Sequence, residues 1–231
     1  MEQKSLSICV VGGTGPEGGG LAVRWAHAGH RVTIGSRDRA KAEQAAQALN
    51  AILGSSRRIF AAASQDGVRG AEIAVLTVPY SAQIATASAL RAELEGKILI
   101  DVTVPLVPPK VSRVQLPPSD SCVVALQETL GAGVRVVSAF QNVSAHKLKD
   151  LSQQIDCDVL VAGDDKAARA VTIALAQAAG LRGVDVGPLA NSVVAESLTS
   201  ALIWINRTYK IPDAGIRITG IPAQPPASTP S

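Results

Sequence analysis

The chain has 231 residues and a mass of 23.7 kDa, with 47% hydrophobic and 18% charged residues, a composition typical of a globular domain with a buried core. A net charge of +3 is too small to predict a nucleic-acid partner, and 3% aromatic residues argues against stacking platforms for single strands. No apolar run approaches the ~18 residues of a membrane span. The three cysteines form no CxxC pair and the first residues resemble no secretory signal, so we expect a cytoplasmic protein without membrane contact.

Short β-branched runs alternate with longer alanine-rich runs along the chain. The strand candidates are LSICVV, RVTIG, EIAVLTV, GKILIDV, VRVVSAF and CDVLVAG, and the helix candidates are PEGGGLAVRWAHAG, DRAKAEQAAQALNAIL, SAQIATASALRAEL and DKAARAVTIALAQAAG. Continuous apolar strands are buried on both faces, which is typical of parallel sheets. The alternation therefore predicts an α/β fold with a doubly wound parallel sheet.

Two segments depart from this alternation. Residues 105–120 carry five prolines, which predicts a long loop, and loops of that length are often functional. Residues 191–210 have the composition of a long helix. Its apolar positions recur at three and four, so we expect one face to be buried against the first domain or a second subunit. These positions are Val194, Leu198, Ala201, Leu202 and Ile205.

The chain divides into three parts on these patterns. We expect a dinucleotide-binding domain over residues 1–140 and a smaller C-terminal α/β part over residues 141–221, which includes the long helix. Residues 222–231 read PAQPPASTPS, and this composition predicts a disordered tail.

The stretch VVGGTGPEGGG contains a GxGxxG pattern from Gly13 to Gly18, which directly follows a predicted strand and opens a predicted helix. That context makes the pattern a strong signal for dinucleotide binding. Gly13 permits a tight turn, Gly15 lets a pyrophosphate approach the main chain, and Gly18 lets the helix pack close to the strand. Pro16 suits the first helical turn, whose amides face the anion.

The end of the second predicted strand indicates which dinucleotide binds. NAD sites carry an acidic residue there for the ribose 2′-hydroxyl, whereas this chain has Ser36 and Arg37. A hydroxyl and a guanidinium suit a 2′-phosphate, and Lys41 adds a second cation one helical turn later. Asp38 is expected to cap the following helix and point back at its amides. The pattern favours NADP over NAD.

Other signals are weaker. The strand end LTVPY is expected near the nicotinamide, although a purely structural turn is an equally good interpretation. His27 and His30 fit a helix end better than a metal site, and the acids of AGDD fit a helix cap. The sequence contains no GxSxG motif, Cys–His pair or paired carboxylates, so we expect neither hydrolysis nor a catalytic side chain nor a metal.

Taken in order, several blocks resemble the NADPH-dependent coenzyme F420 reductases, also called F420H2:NADP oxidoreductases. The similar blocks are VVGGTGPEGGGLAVRWAHAGH, VTIGSRDRAKAE, IAVLTVPY, VVSAF, DCDVLVAGDD and VDVGPLANSVVAESLTSALIWINRTYKIPDAGIRITG. The last block is the most specific. The resemblance implies a Rossmann domain carrying NADP, a small C-terminal helical part, a homodimer, and hydride transfer between NADP(H) and F420.

The resemblance also implies roles for individual residues. The NADP contacts it implies are Gly13, Thr14, Gly15, Pro16, Glu17, Ser36, Arg37 and Lys41, with Thr77, Val78 and Pro79 near the nicotinamide. The residues implied in or beside the deazaflavin pocket are Val104, Ala139, Gln141, Glu196, Ser197 and Thr199. The chain departs from the family at Gln141, where members often have histidine, and at Val193, where some have a basic residue. Two alternatives stay open, an NADPH-dependent flavin or ferric reductase and a non-catalytic NADP-binding sensor.

Overall fold

The computed structural model describes residues 5–54 and 58–221. Its strands are β1 (Ser7–Val11), β2 (Arg31–Ser36), β3 (Ile59–Ala63), β4 (Ile73–Leu76), β5 (Ile98–Asp101), β6 (Arg135–Ser138), β7 (Asp158–Gly163) and β8 (Arg182–Asp185). Its helices are α1 (Pro16–His27), α2 (Arg39–Leu53), α3 (Ser64–Arg69), α4 (Gln83–Ala89), α5 (Arg91–Leu94), α6 (Cys122–Leu130), α7 (Lys166–Ala178) and α8 (Ser192–Tyr209). The tail predicted to be disordered lies outside the described residues.

Over the described ranges the strands form one eight-stranded sheet in the order β3-β2-β1-β4-β5-β6-β7-β8. Neighbouring strands are parallel except β6 and β7, which pair antiparallel. The first six strands have the order of a dinucleotide-binding Rossmann fold, so the predicted fold class is confirmed. The predicted boundary near residue 140 falls between β6 and β7, and the strands on both sides share this sheet.

The sheet is buried on both faces, as the continuous apolar strands predict. In β1, Ile8 and Val10 pack into the core beneath α1, α2 and α7, while Cys9 and Val11 pack into the second core beneath α4 and α6. Trp25 of α1 is fully buried in the first core, and its indole N–H donates to the Leu175 carbonyl at 2.8 Å. This bond ties α1 to α7 across the sheet's first face.

The sequence did not predict every element. β3 and β8, which were not among the strand candidates, lie at the two edges of the sheet and are partly exposed. The short helices α3 and α6 were also missed. The single helix predicted over residues 81–94 is wrong in detail, because a 3-10 turn at Tyr80–Ala82 precedes α4, and Leu90 leaves helical geometry (φ −109°, ψ 6°) before α5.

Helix α8 matches the long helix expected over residues 191–210, and the proline-rich stretch is a loop between β5 and α6. Leu202 is 6% exposed and packs against its own chain, whereas Val194 is 56% exposed. The predicted apolar stripe is therefore split between an inward and an outward face. Across the described ranges, no helix combines the length and the apolar character needed to span a bilayer.

Arg24 of α1 holds the segment that follows β6 in place. The side chain is 7% exposed. Its guanidinium donates to the carbonyls of Leu148 (2.8 Å) and Ala179 (3.0 Å). Three further bonds of 2.9–3.2 Å reach the carbonyls of Lys147, Asp150 and Gln153. One buried cation thus anchors a loop that has little regular structure of its own.

Candidate functional site

The turn between β1 and α1 lies where the GxGxxG pattern predicts it, but Gly12 rather than Gly13 takes the left-handed conformation. Gly12 has φ +80°, so the left-handed position of the turn falls one residue before the pattern. At Gly18 a Cβ atom would clash with Thr77 Oγ1 and lie 2.8 Å from Gly13 Cα. The absence of a side chain at Gly18 therefore lets α1 pack against the end of β4, as predicted.

The same turn borders an open cleft at the carboxyl ends of the parallel strands. A Cβ atom at Gly15 would meet only the Gly12 carbonyl oxygen, at 3.8 Å, so the main chain here is open to a ligand. We call this cavity of about 610 Å³ the glycine cleft. Its lining residues are Gly12, Thr14, Gly15, Pro16, Glu17, Gly18, Thr77, Val78, Pro79, Tyr80, Val102, Thr103, Val104, Leu106 and Ala145.

A second cavity, of about 520 Å³, lies at the ends of β2 and β3, and we call it the β2 cavity. Ser36 and Arg37 line it, and Lys41 lies exposed on the first turn of α2. Asp38 caps α2, as predicted, and its Oδ1 accepts from the amides of Ala40 (3.0 Å) and Lys41 (3.2 Å). The Asp38 carboxylate is turned to its own helix, and Arg37 brings a positive charge to the lining of this cavity.

Two carboxyl groups lie at the glycine cleft, that of half-buried Glu17 and that of fully buried Asp101. Glu17 lines the cleft, yet its Oε1 is shielded from solvent and has no hydrogen-bond partner among the described residues. Burial, followed by the nearby Asp101 carboxylate, raises the pKa of Glu17 to about 8. Burial likewise raises the pKa of Asp101 to about 6, although hydrogen bonds from Thr103 and Gln83 oppose the shift. Burial and mutual repulsion therefore make this pair of carboxyl groups hold a proton to higher pH than free carboxyl groups do.

Asp101 organises the polar groups at the end of β5. Its Oδ1 accepts from the Thr103 amide (3.0 Å) and hydroxyl (2.6 Å), and its Oδ2 accepts from the Gln83 amide group. Its main-chain carbonyl accepts from Gln141 Nε2 at 2.8 Å. The side-chain oxygens of Gln83 and Gln141 are buried and have no partner within residues 5–54 and 58–221. Gln141 therefore holds its amide group in one orientation, with the acceptor oxygen unused.

A third cavity, of about 390 Å³, lies between α8 and the segment after β6, and we call it the α8 cavity. Thr199 lines it and donates its hydroxyl to the Gln141 carbonyl at 2.7 Å, which links α8 to that segment. Pro16, Leu106 and Ala145 line both this cavity and the glycine cleft, so the two spaces adjoin. The other lining residues are Gln141, Asn142, Val143, Ser144, His146, Leu202, Ile203, Asn206, Pro212 and Ala214.

Comparison with known proteins identifies the family. Residues 7–105 match the family model described as NADP oxidoreductase coenzyme F420-dependent. The chain is 39% identical over 223 residues to the F420-dependent NADP reductase of Methanocaldococcus jannaschii, covering 94% of this chain and 99% of that protein. It is also 39% identical over 225 residues to the enzyme of the same name from Methanothermobacter thermautotrophicus, covering 95% and 97%. The chain belongs to the F420-dependent NADP reductase family.

A solved structure agrees with this family assignment. The chain from Arthrobacter sp. FB24, named as a candidate F420-dependent NADP-reductase, is 27% identical with a TM-score of 0.78. The similarity covers 93% of this chain and 100% of that one. The architecture of the family is therefore present over nearly the whole of this chain.

Not every residue that the family resemblance implies faces a cavity. Glu196 is 2% exposed and caps α6, where it accepts from the Ser121 hydroxyl (2.6 Å) and the Cys122 amide (2.9 Å). A carboxylate at a helix N-terminus is a stabilising structural arrangement, and the place of Glu196 beside the deazaflavin pocket stays a prediction. Ala139 is buried in the core, and its amide donates to the Asp101 carbonyl at 3.3 Å. Ser197 lies three residues after exposed Val194, on the outward face of α8.

Sequence reasoning overlooked Asp101 and Gln83. One signal was available, since GKILIDV places a carboxylate at the carboxyl end of a predicted strand, where ligands bind in such sheets. The partnership with Gln83 carried no local signal. Asp165 caps α7, as the AGDD interpretation predicts, with its Oδ1 accepting from the Ala168 amide at 2.6 Å.

Two remaining features lie outside the candidate site. Over the part of the chain that the structure describes, no group of three or more His, Cys, Asp or Glu side chains could hold a metal ion. A further cavity of about 620 Å³ lies between the end of α2 and β3, lined by Asn50, Gly54 and Phe60 among others. Since it lies away from the carboxyl ends of the central strands, where family ligands would bind, we do not include it.

Proposed function

We propose that the protein transfers a hydride between NADP(H) and coenzyme F420. The observation that carries this proposal is the contact between the glycine cleft and the α8 cavity, which share Pro16, Leu106 and Ala145. Hydride transfer needs two ring carbons held close together, and two adjoining cavities can each receive one ring system. Membership of the F420-dependent NADP reductase family favours this function over a flavin or ferric reductase and over a sensor.

The residues of the glycine cleft fit NADP(H). We infer that Thr14, Gly15 and Pro16 border the pyrophosphate, because the open main chain at Gly15 and the N-terminus of α1 suit an anion. Ser36, Arg37 and Lys41 would bind the 2′-phosphate, since the one nearby carboxylate, Asp38, caps α2. The nicotinamide would then lie near Thr77, Val78, Pro79 and Val104, which line the same cleft.

The α8 cavity fits the deazaflavin ring. Its wall combines apolar side chains with two polar positions, Gln141 and Thr199. Gln141 Nε2 donates to the Asp101 main-chain carbonyl, and the unused Oε1 would accept a hydrogen bond from a ring N–H. Gln141→His should therefore change the affinity for F420 more than the rate of hydride transfer, which positioning controls.

The two coenzymes supply the hydride chemistry when bound, and the protein supplies binding, orientation and exclusion of water. Pro16, Leu106 and Ala145 form apolar parts of the wall where the two cavities meet. Apolar side chains at that place keep water from the reacting carbons. We assign no side chain an obligatory proton-transfer step.

The choice of NADP is tested by removing one cation. Arg37→Ala should weaken NADPH binding roughly tenfold to a hundredfold, since a charge-assisted bond contributes about 1.5–3 kcal/mol, while NADH binding changes little. Arg39→Ala is the matched control, because Arg39 is exposed and pairs with Glu43 at 2.9 Å. Equal affinities for NADPH and NADH in the wild-type protein would contradict the assignment.

The acceptor is tested by competition among candidates. NADPH is mixed with enzyme and oxidised F420, and loss of the deazaflavin absorbance is followed, with FMN and a ferric chelate as parallel acceptors. We expect F420 to be reduced much faster than either. Turnover of FMN or iron without F420 would replace the proposal with the second candidate, and NADPH binding without any turnover would favour a sensor.

We further propose that the protein is a homodimer built on the outward face of α8. Trp204 is 61% exposed there, and Arg207 donates to Ser112 Oγ at 3.0 Å, which places the proline-rich loop beside the end of the helix. That loop carries exposed Val114 and Leu116, so the two elements together present a large apolar surface.

Sedimentation tests the assembly. Trp204→Glu should shift the mass towards a monomer without unfolding the chain, because the residue is exposed. Leu202→Glu is the contrasting variant and should destabilise the fold itself, since Leu202 is buried within its own chain. A wild-type protein that sediments as a monomer at all concentrations would contradict the dimer.

We also propose a cytoplasmic location, which the three unpaired, buried cysteines support.

A further inference from the structure

The carboxyl group of Glu17 has no part in the hydride transfer proposed above. The turn from β1 to α1 requires glycines on either side of this position but no acid within it. Yet Glu17 borders the glycine cleft, and its Oε1 is buried without a hydrogen-bond partner among the described residues. A buried, unpartnered oxygen is costly in its charged form, so its presence in the cleft calls for a ligand-dependent explanation.

The surroundings of Glu17 hold more negative than positive charge. The Asp101 carboxylate at the end of β5 raises the pKa of Glu17, and the Glu196 carboxylate of α8 raises the pKa of Asp101. Tyr80 borders the cleft from the turn after β4. Lys149 lies against Gly19, on the other side of α1, with its Cε 3.2 Å from a Cβ built there, and His146 lines the adjoining α8 cavity.

These surroundings favour the protonated form of Glu17 in the free protein. Burial and the Asp101 carboxylate together raise the pKa of Glu17 to about 8. A positive charge brought into the cleft would reverse the preference, because an opposite charge within about 4–6 Å favours the ionised form. The two redox forms of the cofactor differ in this respect, since the nicotinamide ring of NADP+ carries a positive charge and that of NADPH does not.

We propose that Glu17 sets the preference of the cleft between the two redox forms, remaining protonated with NADPH and releasing its proton to solvent when NADP+ binds. This inference rests on the proposed position of the nicotinamide near Thr77 and Val78. The pyrophosphate and the 2′-phosphate are common to both forms, so their effects on Glu17 cancel in a comparison of NADP+ with NADPH. Glu17 is thus a specificity-determining residue for the redox state of the dinucleotide.

The inference gives a defined pH dependence. A single proton linked to binding changes the ratio of the two dissociation constants by at most about tenfold per pH unit, between the pKa values of Glu17 in the two complexes. As pH rises, the free energy needed to ionise Glu17 falls, so the binding of NADP+ strengthens relative to that of NADPH. We expect the ratio of the NADP+ to the NADPH dissociation constant to fall about tenfold between roughly pH 6.5 and pH 9.

The test measures binding and needs no turnover. Both forms are titrated calorimetrically into the wild-type protein, Glu17→Gln and the control Glu43→Gln, which removes a carboxylate from the exposed face of α2. Repeating each titration in buffers of different ionisation enthalpy counts the protons released. We expect the wild-type protein and Glu43→Gln to release more protons with NADP+ than with NADPH, and Glu17→Gln to show a ratio that changes less than about twofold with pH.

The outcomes separate this inference from the proposed function. If both forms bind, Arg37→Ala weakens them, and the wild-type ratio is independent of pH, the role of Glu17 is overturned while NADP binding stands. The same holds if Glu17→Gln keeps the wild-type pH dependence. If neither form binds to the wild-type protein, the proposed function fails. Should Glu17→Gln not fold, the wild-type proton count decides alone, since equal proton release with both forms contradicts the inference.

Discussion

Replacing Arg24 should damage both the stability of the fold and the shape of the α8 cavity. Of its five carbonyl partners, those of Leu148 and Ala179 are buried, and the other three are only partly buried. Water can replace the guanidinium at the partly buried carbonyls, so we count only the two buried bonds. At about 1.5–3 kcal/mol for each bond to a charged group, Arg24→Met should lower the free energy of unfolding by about 3–6 kcal/mol.

Guanidinium chloride unfolding followed by circular dichroism measures this loss, and Arg24→Lys serves as the matched variant. Lysine keeps the charge, but its single ammonium group cannot donate to carbonyls in as many directions as the planar guanidinium does. Arg24→Lys should therefore recover only part of the stability. Because Arg24 anchors the segment that lines the α8 cavity, the KM for the acceptor should rise more than the dissociation constant for NADPH. A loss below about 1 kcal/mol, or equal effects on both ligands, would refute this reasoning.

Two further predictions concern the glycine-rich turn. Gly18→Ala should cost about 1–3 kcal/mol of stability and abolish tight NADPH binding, because its Cβ would clash with Thr77. Gly19→Ala should be tolerated, because its Cβ meets the flexible end of Lys149. Thermal melts and NADPH titration of both variants check these expectations. The pKa of Glu17 is raised in the fold from 4.5 to about 8, so its contribution to stability is fully present below about pH 4.5 and is lost as pH rises through 8. The melting temperature of the free wild-type protein should accordingly fall over this range, and that of Glu17→Gln should fall less; identical pH profiles would contradict the assigned pKa shift.

Local signals in the sequence were sufficient for the central part of the fold. The GxGxxG pattern, the apolar central strands and the Asp38 cap depend on residues close together in the chain, and each has its predicted place. Edge strands need bury only part of their surface, and β3 and β8 carry weak strand signals: IFAAA is apolar but rich in alanine, which is depleted in strands, and RGVD begins and ends with a charged residue.

The buried polar groups of the site could not be predicted in the same way. Gln83 and Gln141 meet Asp101 across 18 and 40 residues of chain, and no periodicity connects such positions. The contacts of Glu196 were equally unpredictable, since the motif gave no sign that its carboxylate caps α6. A motif identifies the residue type, whereas tertiary packing decides what its polar atoms contact.

Isotope transfer tests the central claim most directly. NADPH carrying deuterium at both C4 positions is mixed with enzyme and oxidised F420 in ordinary water, and the reduced F420 is analysed by mass spectrometry. Direct hydride transfer between coenzymes in adjoining cavities predicts reduced F420 that contains one deuterium per molecule. Reduced F420 without deuterium, or F420 that stays oxidised while NADPH is bound, would contradict the account.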